Sequence, residues 1–194
     1  MDDAILVLGG LSTGVSLAAA SGLRVFLPAF LASLAMQFEL LPASESMGWL
    51  ASTPAALGLG VATGLELLAY YIPWLDNLLD TLATPAAVVA GIVVSAATFV
   101  GMDPFMQWTA AIVIGGGAAG SVQLGSVATR ALSTGATGGA GNPIVATVEN
   151  VGATGLTALA IVLPLVAALL VLVLLGLAFR RVARWRRGRR EAAG

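Results

Sequence analysis

Long apolar runs with almost no charge dominate this chain. Residues 4–36 contain a single charged side chain, Arg24, and residues 84–101 contain none. Of all 194 residues, 58% are hydrophobic and 10% are charged, whereas a soluble domain is about 25% charged. A transmembrane helix needs about 20 consecutive apolar residues. The sequence therefore predicts an integral membrane protein with no room for a separate soluble domain.

Polar and helix-breaking residues divide the chain into five or six hydrophobic segments. We expect spans over about 4–23, 49–72, 84–101, 107–130 and 154–179. A shorter helix over 25–37 crosses obliquely or re-enters, because Gly22 and Pro28 break it from the first span. Between the spans we expect a polar loop at 37–47, a short interfacial helix at 73–82 and a glycine-rich loop at 133–141. The predicted fold class is all-α: a polytopic transmembrane helical bundle with broken or re-entrant helices.

The same pattern of glycines and arginine occurs twice, 106 residues apart. The matched positions are Gly10 with Gly116, Gly14 with Gly120 and Arg24 with Arg130. Residues 73–85 also align with residues 143–155 without gaps. We predict one transmembrane domain over residues 1–179, built from repeat one (about 4–101, with an inserted helix at 49–72) and repeat two (about 107–179). Chance similarity between Ala/Gly-rich segments is the other interpretation, and the repeats are either parallel or inverted.

Arg24 and Arg130 are the charges that this pattern must accommodate. An arginine at mid-membrane costs roughly 2.5–3.5 kcal/mol, and a carboxylate nearby lowers that cost. Glu66 and Glu149 lie inside or at the edge of apolar spans, so we predict a cross-pairing of Arg24 with Glu149 and of Arg130 with Glu66. These pairs either lock the fold or line a polar cavity that binds an anion or exchanges a proton. A third interpretation is that the arginines snorkel to the interface.

Three further polar residues are candidates. Asn142 precedes Pro143, and Asn at the N-cap followed by Pro predicts a helix start. The helix over 143–150 is either a half-helix that lines a cavity or an ordinary capped helix at the surface. Asp76 and Asp80 are secondary candidates, because a spacing of four places them on one helical face.

Pairs of glycines at a spacing of four predict close helix packing in lipid. These residues are Gly10, Gly14, Gly60, Gly64, Gly116 and Gly120. The contacts lie within the fold or between copies of a homo-oligomer. A glycine-lined permeation path is the other interpretation.

A basic tail follows the last span. Seven of the nine arginines lie between Arg180 and Arg190, there is no lysine, and residues 1–179 carry two arginines against nine acids. Basic segments stay in the cytoplasm, so we expect a multi-pass cell-membrane protein with a cytoplasmic tail at 180–194. The tail also predicts contact with anionic lipid. Nucleic acid is not expected as a partner, because the tail is short and abuts a span.

The chain contains neither cysteine nor histidine. Disulfides, thiol chemistry, His-ligated metals and the usual general base are therefore excluded. We expect no catalytic residue, no metal, no cofactor and no enzymatic activity.

Three segments together resemble a family of small prokaryotic multi-pass membrane proteins whose shared domain has no known function. The segments are Ser21–Arg24 with Pro28, Glu66 through Asp76, and Gly141 through Glu149. The resemblance covers about residues 5–178 and leaves the arginine-rich tail outside. It implies a membrane location and a helical bundle, and it supplies no activity.

The sequence favours a small transporter or channel-like protein for a small solute or ion, assembled as a homo-oligomer in the bilayer. The predicted site of such a protein lies at the repeat interface and consists of Arg24, Glu66, Arg130 and Glu149. The rival interpretation is a non-transporting scaffold, assembly or lipid-organising protein with purely structural ion pairs. A hydrated cavity that reaches both arginines favours transport, whereas dry and fully paired arginines favour the scaffold.

Overall fold

The computed structural model describes residues 2–191, and within them the side chains of residues 4–72, 82–185 and 187. Every regular element in that part of the chain is a helix, which confirms the all-α class. The α-helices are α1 (Asp2–Ser21), α2 (Leu27–Gln37), α3 (Thr53–Ala69), α4 (Pro73–Thr98), α5 (Pro104–Ala110), α6 (Gly117–Thr137), α7 (Asn142–Val162) and α8 (Pro164–Glu191). A 3-10 helix over Glu45–Ala51 precedes α3, and a π-helix over Ala111–Gly116 joins α5 to α6.

Four helices within the described residues are long and apolar enough to cross a membrane. They are Ala4–Ser21, Pro104–Thr137, Asn142–Val162 and Pro164–Trp185. A fifth span arises if the 3-10 helix and α3, which meet at a bend of 63°, cross together. Leu27–Gln37 and Leu82–Thr98 are shorter apolar helices. The protein is therefore a multi-pass membrane protein.

The short helix α2 turns back along α1. Leu40 and Leu41, which follow α2, line one cavity together with Ile5 and Gly9 near the start of α1. The chain thus returns toward the end from which α1 began. Whether this segment crosses obliquely or re-enters therefore stays a prediction.

Two helices are longer than the sequence predicts. The interfacial helix at 73–82 and the span from 84 are one helix, α4, because membrane helices tolerate a proline such as Pro85 in their interior. The half-helix at 143–150 is likewise continuous with residues 154–162 in one helix, α7. The residues between Asn150 and Thr154 include no proline, so nothing ends the helix there. The rest of the span predicted over 154–179 belongs to α8, because α7 ends at Val162 and Pro164 begins a new helix.

The predicted C-terminal ends of α6 and α8 are wrong, because both helices continue beyond them. α6 continues to Thr137, and Gly138 ends it in the left-handed conformation with φ of +63°. The glycine-rich loop therefore shrinks to residues 138–141. α8 continues past Arg180 to Glu191, because arginine is a good helix former and no proline follows.

The two segments that carry the repeated glycine–arginine pattern run in the same direction. Both are antiparallel to α4. The contacts that fix the directions are Gly10 against Thr98 and Ala18 beside Gly91 for α1, and Gly115 against Ser95 and Gly120 beside Val88 for the second segment. The observed arrangement is parallel, and the duplication itself stays a prediction.

Most of the predicted packing glycines lie at close helix contacts. A Cβ atom on Gly10 or Gly14 would meet α4 directly, and Gly116, Gly120 and Gly60 also face neighbouring side chains. Gly64 is the exception, since a Cβ there would meet no atom within 4 Å. The packing assignment of Gly64 within this chain is therefore wrong, because this part of α3 faces outward. Three close glycines that the sequence analysis missed are Gly22, Gly91 and Gly115.

Candidate functional site

The site begins where the backbone leaves the helical conformation between α1 and α2. Gly22 lies so close to α6 that a Cβ atom would meet the carbonyl oxygen of Ala119. Pro28 follows in the first turn of α2, and a proline cannot donate a helical hydrogen bond. Residues 22–26 consequently turn the chain and direct the N–H groups of Val25 and Phe26 away from any helical acceptor.

Glu66 of α3 accepts both of these backbone donors. Its Oε1 accepts from the N–H of Val25 at 2.6 Å, and its Oε2 accepts from the N–H of Phe26 at 3.0 Å. The carboxylate thus sits at the start of α2, where the helix dipole favours a negative charge. The carboxylate of Glu66 therefore contacts the backbone of the helix break through two hydrogen bonds.

Arg24 projects from the helix break onto α7. Its Nη1 donates to Glu149 Oε2 at 2.8 Å and to its neighbour's carbonyl, Leu23 O, at 2.8 Å. Its Nη2 donates to the carbonyl oxygen of Ala146 at 2.9 Å, and its Nε donates to Asn150 Oδ1. Every nitrogen of this guanidinium group therefore donates to an acceptor within the protein.

The carboxylate of Glu149 joins both arginines. Its Oε2 accepts from Arg24 and also from Nη2 of Arg130, which lies on α6. Its Oε1 accepts from the hydroxyl of Ser126, one turn before Arg130. Glu149 thus connects the helix break to both helices of the pair α6–α7.

The ring of Tyr70 completes the cluster. The Cζ atom of Arg24 lies 4.1 Å from the ring centroid, and that of Arg130 lies 4.3 Å from it. Cation–π contacts of this kind are worth about 2 kcal/mol or more when they are desolvated. We call Arg24, Tyr70, Arg130 and Glu149 the polar centre.

The predicted cross-pairing is half right. Arg24 pairs with Glu149 as expected, whereas Arg130 contacts the carboxylate of Glu149 instead of that of Glu66. The reason is that both oxygens of Glu66 are taken by backbone N–H groups that the helix break exposes. The sequence does not reveal that these backbone N–H groups compete with Arg130 for the carboxylate of Glu66.

The polar centre is buried. Arg24 and Arg130 are each 1% exposed and Tyr70 is 4% exposed, so neither arginine snorkels to the interface. A cavity of about 400 Å³ between α3 and α4 reaches Glu66 and Tyr70, and its other walls are apolar. Among the described residues that line this cavity, neither arginine is found. The buried charges are thus shielded by each other and by protein acceptors.

The remaining polar candidates lie apart from this cluster or outside the described side chains. Asn142 is inside α7 and does not cap it, since Gly141 is the N-cap; its Nδ2 donates to Thr134 Oγ1 at 3.1 Å. The side chains of Asp76 and Asp80 fall outside the described residues. Among the residues that are described, no three acidic groups converge into a metal site.

Sequence reasoning missed three members or neighbours of the cluster. Tyr70 stands near the end of the predicted span over 49–72, where a tyrosine is expected at the membrane interface, but its ring is buried against both arginines. Its spacing of four from Glu66 puts both on one face of α3, and that is the signal that was available. Ser126 carries no such signal, because hydroxyl side chains are common in this chain, whereas Asn150 is one of three asparagines and directly follows Glu149.

Replacing Glu66 tests whether the helix break depends on it. Glu66→Gln keeps one acceptor oxygen but places an amide donor against a backbone N–H, so we expect the free energy of unfolding to fall by about 1–2 kcal/mol. The exposed Glu45→Gln serves as control and should change it by less than about 0.5 kcal/mol. Unfolding in detergent, followed by circular dichroism, measures both. Equal stability of the two variants would show that Glu66 does not hold the break.

Comparison with known proteins identifies a family. The family described as a domain of unknown function, DUF4126, matches residues 11–184. The match extends into the arginine-rich segment, which the resemblance seen in the sequence had left outside. No curated protein matches the chain, and no solved structure matches it.

Proposed function

We propose that this chain, which belongs to the DUF4126 family, is a non-transporting membrane scaffold. The family's domain has no known function, so membership assigns no activity, and the support for the proposal comes from the polar centre. The single observation that carries this proposal is the state of Arg24. All of its nitrogens donate to fixed protein acceptors, and the side chain is 1% exposed. That arrangement supports a structural role rather than an enzymatic one.

A transport site must bind its solute and then release it. An anion that approached Arg24 would have to displace Glu149, Asn150 and two backbone carbonyls at once. Removing one partner from a buried ion pair typically costs about 3–5 kcal/mol. Such a network is better suited to holding helices in place than to exchanging a ligand.

The contacts of the polar centre join elements that are far apart in the sequence. The turn at 22–26, α3, α6 and α7 all contribute to it. In lipid, helices gain little from the hydrophobic effect when they pack, so packing and polar contacts determine which helices meet. The centre therefore supplies the specificity that fixes this bundle.

Transport is the second candidate, and one observation favours it. The apolar cavity between α3 and α4 reaches Glu66 and Tyr70 beside the unwound residues 22–26. Irregular backbone at membrane depth is tolerated where it lines a cavity, and broken helices mark the binding sites of transporters. A carboxylate in such a place would be the group that couples solute movement to protons.

Flux through proteoliposomes separates the two functions. We expect the wild-type protein to pass protons, read with trapped pyranine, and chloride, read with an ion-selective electrode, no faster than protein-free vesicles do. Arg24→Ala and Glu66→Gln should leave that baseline unchanged. A wild-type flux above the baseline that both substitutions abolish would establish transport and overturn the scaffold.

Orientation and assembly complete the proposal. We place the C-terminus in the cytoplasm, because the arginines after residue 179 are the strongest topological signal in the chain. We also propose a homo-oligomer. Gly64 supports it, because a Cβ atom on this glycine would meet nothing within 4 Å, which leaves room for close contact with a second copy.

A further inference from the structure

One face of α8 changes from apolar to basic as the helix proceeds. Leu177, Arg180, Arg181 and Arg184 line a cavity of about 380 Å³ on the surface of the helix. Their spacing of three, four and seven residues from Leu177 places them on the same face. The three guanidinium groups therefore border one space instead of pointing around the helix.

These arginines contrast with Arg24. Among the side chains that the structure describes, no carboxylate forms an ion pair with Arg180, Arg181 or Arg184, and all three are exposed. The sequence itself has no acid between Glu149 and Glu191. Their charge is thus available to an anion from outside the chain.

The same face is apolar on the preceding turns. Leu170, Val173 and Leu174 are exposed there, while the buried side of α8 is formed by Ala167, Ala168 and Val171. From Leu170 to Arg180 the helix rises about 15 Å at 1.5 Å per residue. That length is half of the roughly 30 Å hydrocarbon core, which is the depth of one leaflet.

We propose that this face of α8 binds one anionic phospholipid. The phosphate lies among Arg180, Arg181 and Arg184, and an acyl chain follows the apolar residues back to Leu170. Arginine suits this role because its planar fork bonds two phosphate oxygens at once. The inference deepens the scaffold function by naming a partner and rests on it for its biological meaning, whereas the binding is tested on its own.

Native mass spectrometry of the full chain in mild detergent tests the proposal. The probes are dioleoyl phosphatidylglycerol, which is anionic, and dioleoyl phosphatidylcholine, which is zwitterionic, added separately. Each basic residue near an anionic surface contributes about a fivefold factor in binding. We expect the first phosphatidylglycerol to bind at least about tenfold more tightly than phosphatidylcholine. Equal binding of the two lipids would overturn the proposal.

Two charge-matched variants distinguish a specific lipid site from general electrostatic attraction between the tail and anionic lipid. The variant R180Q/R181Q/R184Q removes the cavity arginines, and R187Q/R189Q/R190Q removes three arginines farther along the chain. We expect the first to lose the preference for phosphatidylglycerol and the second to keep most of it. An equal loss in both would show diffuse attraction and contradict a site. Because these positions are exposed or terminal, an unchanged melting temperature confirms that each variant is folded.

Inorganic phosphate distinguishes a lipid headgroup from a free anion. A lipid held by both its phosphate and its acyl chain should stay bound in millimolar phosphate. Displacement of phosphatidylglycerol by phosphate would identify a simple phosphate site and overturn the lipid assignment. This result is independent of the flux measurement, so the lipid site and the scaffold function can fail separately.

Discussion

Glu149→Gln should lower the free energy of unfolding by about 3–5 kcal/mol, the largest effect expected of any single substitution in this chain. The carboxylate accepts from Arg24, Arg130 and Ser126, and both arginines are almost fully buried. Without its charge, two guanidinium groups remain in a low-dielectric interior with less compensation. Unfolding in detergent, followed by circular dichroism, measures the change.

Two companion variants keep this result interpretable if Glu149→Gln does not fold. Ser126→Ala removes one hydrogen bond to the same carboxylate and should cost only about 1 kcal/mol. Replacing Arg24, Arg130 and Glu149 together by methionine removes the charges as a set and should recover part of the loss. A cost below about 1 kcal/mol for Glu149→Gln would show that the polar centre does not hold the bundle together.

Gly10→Val should destabilise the protein by about 3 kcal/mol, the upper end of the usual cost of overpacking. A Cβ atom at this position would meet the carbonyl oxygen of Thr98, which is backbone and cannot rotate away. α1 and α4 would have to separate along their length. Thermal unfolding of the variant in detergent checks this expectation.

Gly58→Val is the matched control for this effect. A Cβ atom at residue 58 meets nothing within 4 Å, and valine is a slightly better helix former than glycine. The stability of a single chain should therefore change by less than about 0.5 kcal/mol. A similar loss at both positions would mean that contact with α4 does not govern the response.

The sequence identified the charged residues of the site better than their partners. The pairing of Arg24 with Glu149 was predictable, because buried arginines need carboxylates and few lie in the apolar spans. The partner of Arg130 was not predictable, because it depends on the turn at 22–26. That turn exposes two N–H groups that compete for Glu66. Local backbone geometry of this kind has no direct signature in composition or spacing.

Two helices continue farther than the sequence predicts. The predicted helix at 73–82 and the span from 84 are one helix, α4, which passes through Pro85 because neighbouring helices in a membrane supply packing on either side. The Asn142–Pro143 pair does mark the start of α7, but the helix continues past residue 150 to Val162. Neighbouring helices also explain why Gly22 and Gly115 were missed: what makes a glycine essential is the neighbour it touches.

The two copies of the repeated glycine–arginine pattern differ in the backbone structure around their arginines. Arg24 lies within the turn that follows the end of α1 at Ser21, whereas α6 continues through Arg130 to Thr137. The first copy has Pro28 four residues after its arginine, and the second copy has Thr134 in the matching place. Two similar segments thus deliver their arginines to one carboxylate from different backbone geometries.

Water access to Ser126 tests the central claim most directly. The chain has no cysteine, so Ser126→Cys places one nearly isosteric thiol beside Glu149, and Ala140→Cys places a control thiol in the exposed loop. We expect the membrane-impermeant thiosulfonate MTSES, applied from either side of the bilayer for hours, to label Cys at position 140 and leave position 126 unlabelled. Labelling of position 126 at a rate near that of the control would show that the polar centre opens to water and would contradict a dry structural cluster.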